Sequence, residues 1–352
     1  MPGTEKRGRA TSDPAGSARS TLTPHMLKYA EKFDDRGDIR WLPYLMYFHP
    51  AGHVSDVVCT DSLGFRVSHG SDTRASVGGP RPKGPVRLLV GSSTVFGIGA
   101  TNDRATLSSR LWTKHAPALP WLNFGGRSYN STQEILLFTL YRHLLPEIDE
   151  IVIFSGFNDL GLARLPADQS GDHGAFFNCG DFFSRMANSG GEGRRQGLGL
   201  RRRRDTAPAA DRVTPDLDEQ IATASGLTLR HLDTWRLFAE AAGARLTYVL
   251  QPLATWVRER PAPQEAALFR ELDSISDFGA VYGDIAAMGS GRLYAEALRR
   301  GCAGLGVRFL DISPTLAESA AADDWLFVDR IHFTDEGHDL VAGILTDQLD
   351  LS

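Results

Sequence analysis

The sequence predicts an α/β fold, a three-layer flavodoxin-like sandwich built on a five-stranded parallel sheet. Two observations predict it. From residue 86 onward, short apolar runs alternate with longer amphipathic segments, which is the βαβ rhythm of a parallel sheet covered on both faces. The runs number five, each separated from the next by enough chain for a crossover helix.

Taken in order, residues 1–24 read as a disordered tail, with order beginning near Leu27. The opening MPGTEKRGRATSDPAGSARS offers almost nothing apolar to offset the entropy of ordering it. Residues 25–85 read as an N-terminal extension packed on the core. Its aromatic stretch from Trp41 to Phe65 is punctuated at Pro43, Pro50, Gly52 and Gly64. The main domain then spans 86–352, with strands at VRLLVG (86–91), WLNF (121–124), IVIFSG (151–156), RLTYVLQP (245–252) and VRFLDIS (307–313). Helices are predicted near 103–115, 130–145, 217–242, 291–304 and 335–349. One segment breaks the rhythm. Residues 189–212 combine Gly, Arg and Pro with few apolar residues and read as a flexible insertion. Its Arg201–Arg204 run is either a solvated face or a contact for an anionic partner.

Composition narrows the function. With 352 residues and 42% hydrophobic content the chain can bury a large core unaided. A net charge of −5 gives no overall basic surface for nucleic acid or an anionic membrane. Three distant cysteines, Cys59, Cys179 and Cys302, form neither a disulfide framework nor a zinc pattern. The N-terminus lacks the apolar stretch of a secretory signal, and no run is long enough to span a bilayer. The expectation is a cytoplasmic globular enzyme that needs no cofactor or metal and acts on a small or neutral substrate.

In such sheets ligands bind beyond the C-terminal ends of the strands, so the residues after each run carry most information. After the first strand comes Gly91-Ser92-Ser93-Thr94-Val95-Phe96-Gly97. A hydroxyl on a strand-to-helix turn suits a nucleophile, and equally a phosphate cradle. The loop lacks the Gly-Lys-Ser/Thr ending of a Walker A motif, and residues 97–102 lack the third glycine of a dinucleotide fingerprint. After the third strand comes Gly156-Phe157-Asn158-Asp159, whose asparagine can donate to an oxyanion or simply make a turn. Near the C-terminus, Asp329-Arg330-Ile331-His332 sets a carboxylate three residues before a histidine. At that spacing the carboxylate can fix the tautomer and leave the other ring nitrogen as a base. Thr334 should cap the last helix, with Asp335 and Glu336 in its first turn. His332 and His338 are six apart and no HExxH pattern occurs, which argues against a metal.

The order of these blocks resembles that of the SGNH (GDSL-like) hydrolases over about residues 86–350. The resemblance implies Ser93 as nucleophile, with Ser92 where the family commonly has Asp and as the nearest competitor. Asn158 takes the place of the third-block asparagine, and Asp329 and His332 those of the fifth-block pair. In Asn123-Phe124-Gly125-Gly126-Arg127-Ser128-Tyr129-Asn130 the oxyanion glycine of the family falls on Ser128, with Gly125 or Gly126 as alternatives. Ser93, Ser128 and Asn158 would then form the oxyanion hole, and the nearby Arg127 could bind an anionic group of the substrate.

This implies a serine esterase acting through an acyl-enzyme on an acyl ester, O-acetyl among them, of a small molecule or carbohydrate. The alternatives are an acyltransferase using the same residues, a non-catalytic binding module on the same fold and, ranked last, a nucleotide binder using the 91–97 loop. The stretch Thr60–Arg66 resembles segments preceding the catalytic domain in family members that act on sugars. Its other reading is a turn, with Phe65 packed inward and Arg66 paired with a carboxylate. Segments 157–215 and 253–290 are expected to supply the pocket wall. Trp256 and Phe269 could line it or belong to the core.

Overall fold

Five apolar runs pair into one parallel sheet. The computed structural model describes residues 16–33, 40–80, 82–166, 169–177, 214–276 and 278–351. The insertion at 189–212, its arginine run and Cys179 lie outside the described residues, as do the first fifteen residues of the expected tail.

Two short hairpins come first. β1 (Arg40–Leu42) pairs with β2 (Met46–Phe48), and β3 (Ser68–His69) pairs with β4 (Arg74–Ala75). The sheet itself contains β5 (Val86–Gly91), β6 (Trp121–Gly125), β7 (Ile148–Ser155), β8 (Arg245–Leu250) and β9 (Arg308–Asp311). Its order is β6-β5-β7-β8-β9, all parallel, the flavodoxin-like order. Every residue of β5 and β6 is buried, which explains why they read as continuous rather than alternating apolar runs. Helices Ser131–Tyr141, Leu217–Ala242 and Met288–Leu305 pack together on one side. Leu107–Arg110, Ser313–Ser319 and Asp335–Leu349 form a second group.

Local chemistry sets the ends. Asp216 and Glu219 form a capping box that opens Leu217–Ala242, and Gly243 closes it at φ 65°. Thr334 Oγ1 accepts the N–H of Gly337 at 3.0 Å, so the last helix begins where the sequence puts its cap.

Several boundaries differ from the sequence reading. β7 starts at Ile148, three residues before the expected 151. β8 stops at Leu250, because Pro252 has no N–H to extend the ladder. The expected helix at 103–115 is broken at Thr106, whose extended backbone (φ −67°, ψ 156°) separates a 3-10 turn from the helix it caps. Segment 253–290 folds as helices Ala254–Val257, Pro263–Ile275 and Phe278–Tyr282. The chain is also structured earlier than Leu27. Ala18–Leu22 is helical because Ser17 Oγ caps the Ser20 N–H at 3.0 Å and Leu22 finds apolar cover on the core, contacts that composition does not register.

Residues 40–80 have no core of their own. Leu45, Tyr47, Phe48 and Phe65 belong to the main core, and Phe65 packs against Phe124 with ring centroids 4.9 Å apart. Arg66 is fully buried yet satisfied. It meets Asp103 at 2.8 Å, the Tyr29 hydroxyl at 2.9 Å and the Gly97 and Val57 carbonyls at 2.8 and 2.7 Å. The turn reading of Thr60–Arg66, with Phe65 inward and Arg66 on a carboxylate, is the one the side chains follow.

Candidate active site

The chain leaves β5 toward β6 on one side and returns to β7 on the other, so a crevice opens at the C-terminal ends of β5 and β7. Ser93 follows β5 after the single residue Ser92, as the first residue of the one-turn helix Ser93–Phe96. The turn needs glycine at position 91: a Cβ there would lie 2.2 Å from the Phe154 carbonyl oxygen on β7.

Asp329 and His332 reach this rim from the loop before the last helix. The loop closes on itself through the Phe327–Phe333 bridge and the bond from Val328 N–H to the His332 carbonyl at 2.9 Å. It is also tied down from outside. Glu265 Oε1 accepts the N–H groups of Leu326 and Phe327, both at 3.0 Å, while Arg258 balances its charge at 2.8 Å. Arg330 forks onto Asp273 at 2.7 and 2.6 Å and stacks over Phe269 at 4.8 Å.

Within that frame the three side chains line up. His332 Nε2 lies 2.8 Å from Ser93 Oγ, and His332 Nδ1 lies 2.8 Å from Asp329 Oδ2. The other Asp329 oxygen accepts the N–H groups of Ile331 at 2.7 Å and His332 at 2.8 Å. Burial pushes the Asp329 carboxyl up. The His332 charge and hydrogen bond, together with those two N–H groups, outweigh it and hold the carboxyl below its ordinary range. With Nδ1 protonated toward Asp329, Nε2 is an acceptor facing the Ser93 hydroxyl.

Ser92 faces elsewhere, its hydroxyl donating to Gln251 Oε1 at 3.0 Å. His338 lies six residues beyond His332. It is fully buried in the last helix, and neither ring nitrogen has a hydrogen-bond partner among the described residues.

The loop after β6 distinguishes the oxyanion candidates. The Gly125 N–H donates to Asn123 Oδ1 and the Gly126 N–H to the Gly91 carbonyl, both at 2.9 Å. Both glycines are also required by crowding, since a Cβ would lie 2.1 Å from Phe96 N at position 125 and 1.9 Å from the Tyr129 ring at 126. The Arg127 N–H goes to His49 Nε2 at 3.0 Å. Ser128 has φ 57°, in the left-handed region, and it borders the same cavity as Ser93 and His332. Asn158 sits in the first turn after β7. One of its amide protons goes to the Tyr129 carbonyl at 2.7 Å, tying the two loops together, and the second remains on the same nitrogen. Asn158 does not border the cavity.

That cavity measures about 290 Å³. Of the two expected segments, 253–290 lines it among the described residues. Met26, Tyr29, Ala30 and Phe33 come from the N-terminal helix Met26–Lys32 and its end, Ile98 from beyond the Ser93 turn, and Leu272 from segment 253–290. Arg19 and Arg127 complete the rim. No described residue of 157–215 contributes. Trp256 and Phe269 are core residues, the former donating its indole N–H to the Ile285 carbonyl at 2.9 Å. The residues that sequence reasoning missed are those holding the loops, Tyr47, His49, Glu265, Asp273 and Arg330. None carries a motif, because each acts on a partner distant in the chain.

No protein-family model and no curated protein matches the chain. Among solved structures, the likeness is to lipases, acylhydrolases and acetylesterases. A lipase/acylhydrolase from Enterococcus faecalis is 11% identical with a TM-score of 0.40, covering 75% of this chain and 95% of its own. A carbohydrate acetylesterase family member from Sinorhizobium meliloti is 13% identical with a TM-score of 0.37, covering 76% and 97%. A GDSL-like lipase from Bacteroides thetaiotaomicron is 13% identical with a TM-score of 0.39, covering 75% and 87%. Likeness at this level says nothing of the chemistry here, which the side chains of this chain must supply. Among the described residues no helix is long and apolar enough to cross a membrane.

Proposed function

We propose that this chain is a serine esterase of the SGNH (GDSL-like) type that cleaves an acyl ester through an acyl-enzyme. The observation that carries the proposal is the continuous line of Ser93 Oγ, His332 and Asp329, with both contacts at 2.8 Å, at the C-terminal rim of the sheet. His332 Nε2 takes the Ser93 proton as the oxygen attacks the acyl carbon, and Asp329 stabilises the imidazolium that forms. The N–H groups of Ser93 and Ser128 receive the oxyanion, and Asn158, expected as a third donor, instead braces the turn behind them through the Tyr129 carbonyl. Each such donor is typically worth about 2.7–4 kcal/mol in the transition state. Collapse of the tetrahedral adduct expels the alcohol, which takes the proton from His332. Water then repeats the sequence to release the acid. An alcohol or amine in place of water would make the same residues a transferase.

The cavity, at about 290 Å³, lies at the lower end of the roughly 300–1,000 Å³ range of ligand pockets. This favours a small acyl group, acetyl included, on a small molecule or the end of a carbohydrate. Arg127 on its rim suits a substrate with an anionic group nearby.

The test is a fluorophosphonate probe on the parent and on Ser93→Ala, with hydrolysis of short aryl esters assayed in parallel. Labelling of the parent at Ser93, lost with turnover in the variant, is expected. Persistent labelling of the variant would remove Ser93 as nucleophile. A parent that neither labels nor turns over would be a binding module. Added acceptor alcohols divide esterase from transferase by transesterified product.

A further inference from the structure

The proposed oxyanion donor Ser128 stands in a backbone conformation that a residue with a Cβ rarely adopts, φ 57°, and nothing in its own chemistry selects it. The turn is closed from within by the Tyr129 N–H on the Gly126 carbonyl at 3.1 Å, and contacts from outside the loop brace it. Three contacts converge from β2 of the N-terminal extension and from His49, the residue after it. The Tyr47 hydroxyl donates to the Ser128 carbonyl at 3.0 Å, the Tyr129 hydroxyl donates to the Tyr47 carbonyl at 2.6 Å, and His49 Nε2 accepts the Arg127 N–H at 3.0 Å.

We propose that Tyr47 and His49 are positioning residues that clamp the Arg127–Tyr129 turn and so aim the Ser128 N–H for the reaction. The clamp rests on the esterase reading given above. The geometry is specific to that N–H group. The peptide plane carrying it lies between two others, one held at the Arg127 N–H and one at the Ser128 carbonyl. Holding both flanking planes restricts the plane between them to a crankshaft turn about its own two ends. The next carbonyl, that of Tyr129, is held in turn by Asn158.

His49 is equipped for an acceptor role. Its Nδ1 lies 3.1 Å from the Gly64 carbonyl and donates there, which fixes Nε2 as the unprotonated nitrogen. The ring is buried against Phe96, centroids 3.8 Å apart, and Phe96 ends the one-turn helix that begins at Ser93. One imidazole thus references the loop with the donor to the turn with the nucleophile. Residues 46–49 act on the site without touching the substrate, since neither Tyr47 nor His49 borders the cavity.

The test uses the full chain and an aryl acetate, measuring kcat, KM, thermal midpoint and fluorophosphonate labelling for four proteins: the parent, Tyr47→Phe, Ser128→Gly and the double variant. Without the clamp, serine relaxes out of the left-handed region, whereas glycine populates it about as readily as its mirror region. Tyr47→Phe should lower kcat about tenfold with KM within about twofold, one misaimed donor costing part of its full worth. Added to Ser128→Gly, Tyr47→Phe should cost far less kcat than it costs in the parent background. A purely structural role for Tyr47 would cost the same in both backgrounds. His49→Phe, which keeps the ring on Phe96 and removes the acceptor together with the bond to the Gly64 carbonyl, provides a second route to the same kcat loss. Unchanged kcat in Tyr47→Phe, or an equal loss in the two backgrounds, overturns the clamp while leaving a labelled parent an esterase. A parent that fails to label and to turn over takes both readings down together.

Discussion

Replacing Asp329 by asparagine separates charge from shape at the centre of the proposed mechanism. Asp329 Oδ1 accepts two backbone N–H groups, from Ile331 at 2.7 Å and His332 at 2.8 Å, so an acceptor must remain there. Asparagine meets that demand only by placing its oxygen on them, which turns its NH₂ toward His332 Nδ1. The imidazole must then accept at Nδ1 and carry its proton on Nε2, facing Ser93 Oγ at 2.8 Å as a donor. A histidine in that tautomer cannot take the serine proton. Turning the amide over would set NH₂ against two N–H groups, at about 1–3 kcal/mol for each buried group left unsatisfied. Loss of the base and of the anion beside the imidazolium should together reduce kcat about ten-thousandfold, or about 5.4 kcal/mol. The assay is steady-state hydrolysis of an aryl acetate, with the thermal midpoint recorded to show that the fold survives. A folded Asp329→Asn enzyme within about tenfold of the parent kcat would refute the assignment of His332 as base oriented by Asp329.

Two further outcomes follow from the same neighbourhood. Ser92→Ala removes a hydroxyl bonded to Gln251 rather than His332. It should cost about 1 kcal/mol of stability while leaving fluorophosphonate labelling intact, and a folded but unlabelled variant would make Ser92 the nucleophile. His338→Leu should stabilise the chain increasingly as pH falls. Burial, aided by the Arg66 charge, pushes the native imidazole down from 6.5 to about 3. The unfolded chain therefore binds the extra proton below pH 6.5, and the parent loses stability as pH drops from there toward 3. Leucine removes that loss, so the gap between variant and parent in urea unfolding should widen by about 2 kcal/mol between pH 7 and pH 5. Other buried histidines act equally in both proteins and cancel. A constant gap would mean that native His338 binds its proton as readily as the unfolded chain does.

Much of the sheet was legible because burial on both faces leaves a continuous apolar run. β5 and the long helix Leu217–Ala242 match their expected limits residue for residue. The broken helix at 103–115 was not legible, since its interruption at Thr106 trades one set of local hydrogen bonds for another without altering composition. The candidate site divides the same way. Asp329 and His332 are three residues apart, and that spacing alone brings a carboxylate to an imidazole nitrogen. Ser128 could be located by counting from Asn130, but its φ of 57° and its use of Tyr47 could not.

The sequence by itself determined the five strands, most of their crossover helices and the closeness of Asp329 to His332, because periodicity and short spacing act within one element. Only the tertiary structure decided that His332 meets Ser93, 239 residues away, and that the cavity above them is walled by the N-terminal helix and by Leu272. It also decided that Tyr47 and His49 hold the turn that carries Ser128. The physical reason is common to all three. Such contacts depend on how separate elements pack, and packing places side chains through distances that no spacing along the chain encodes.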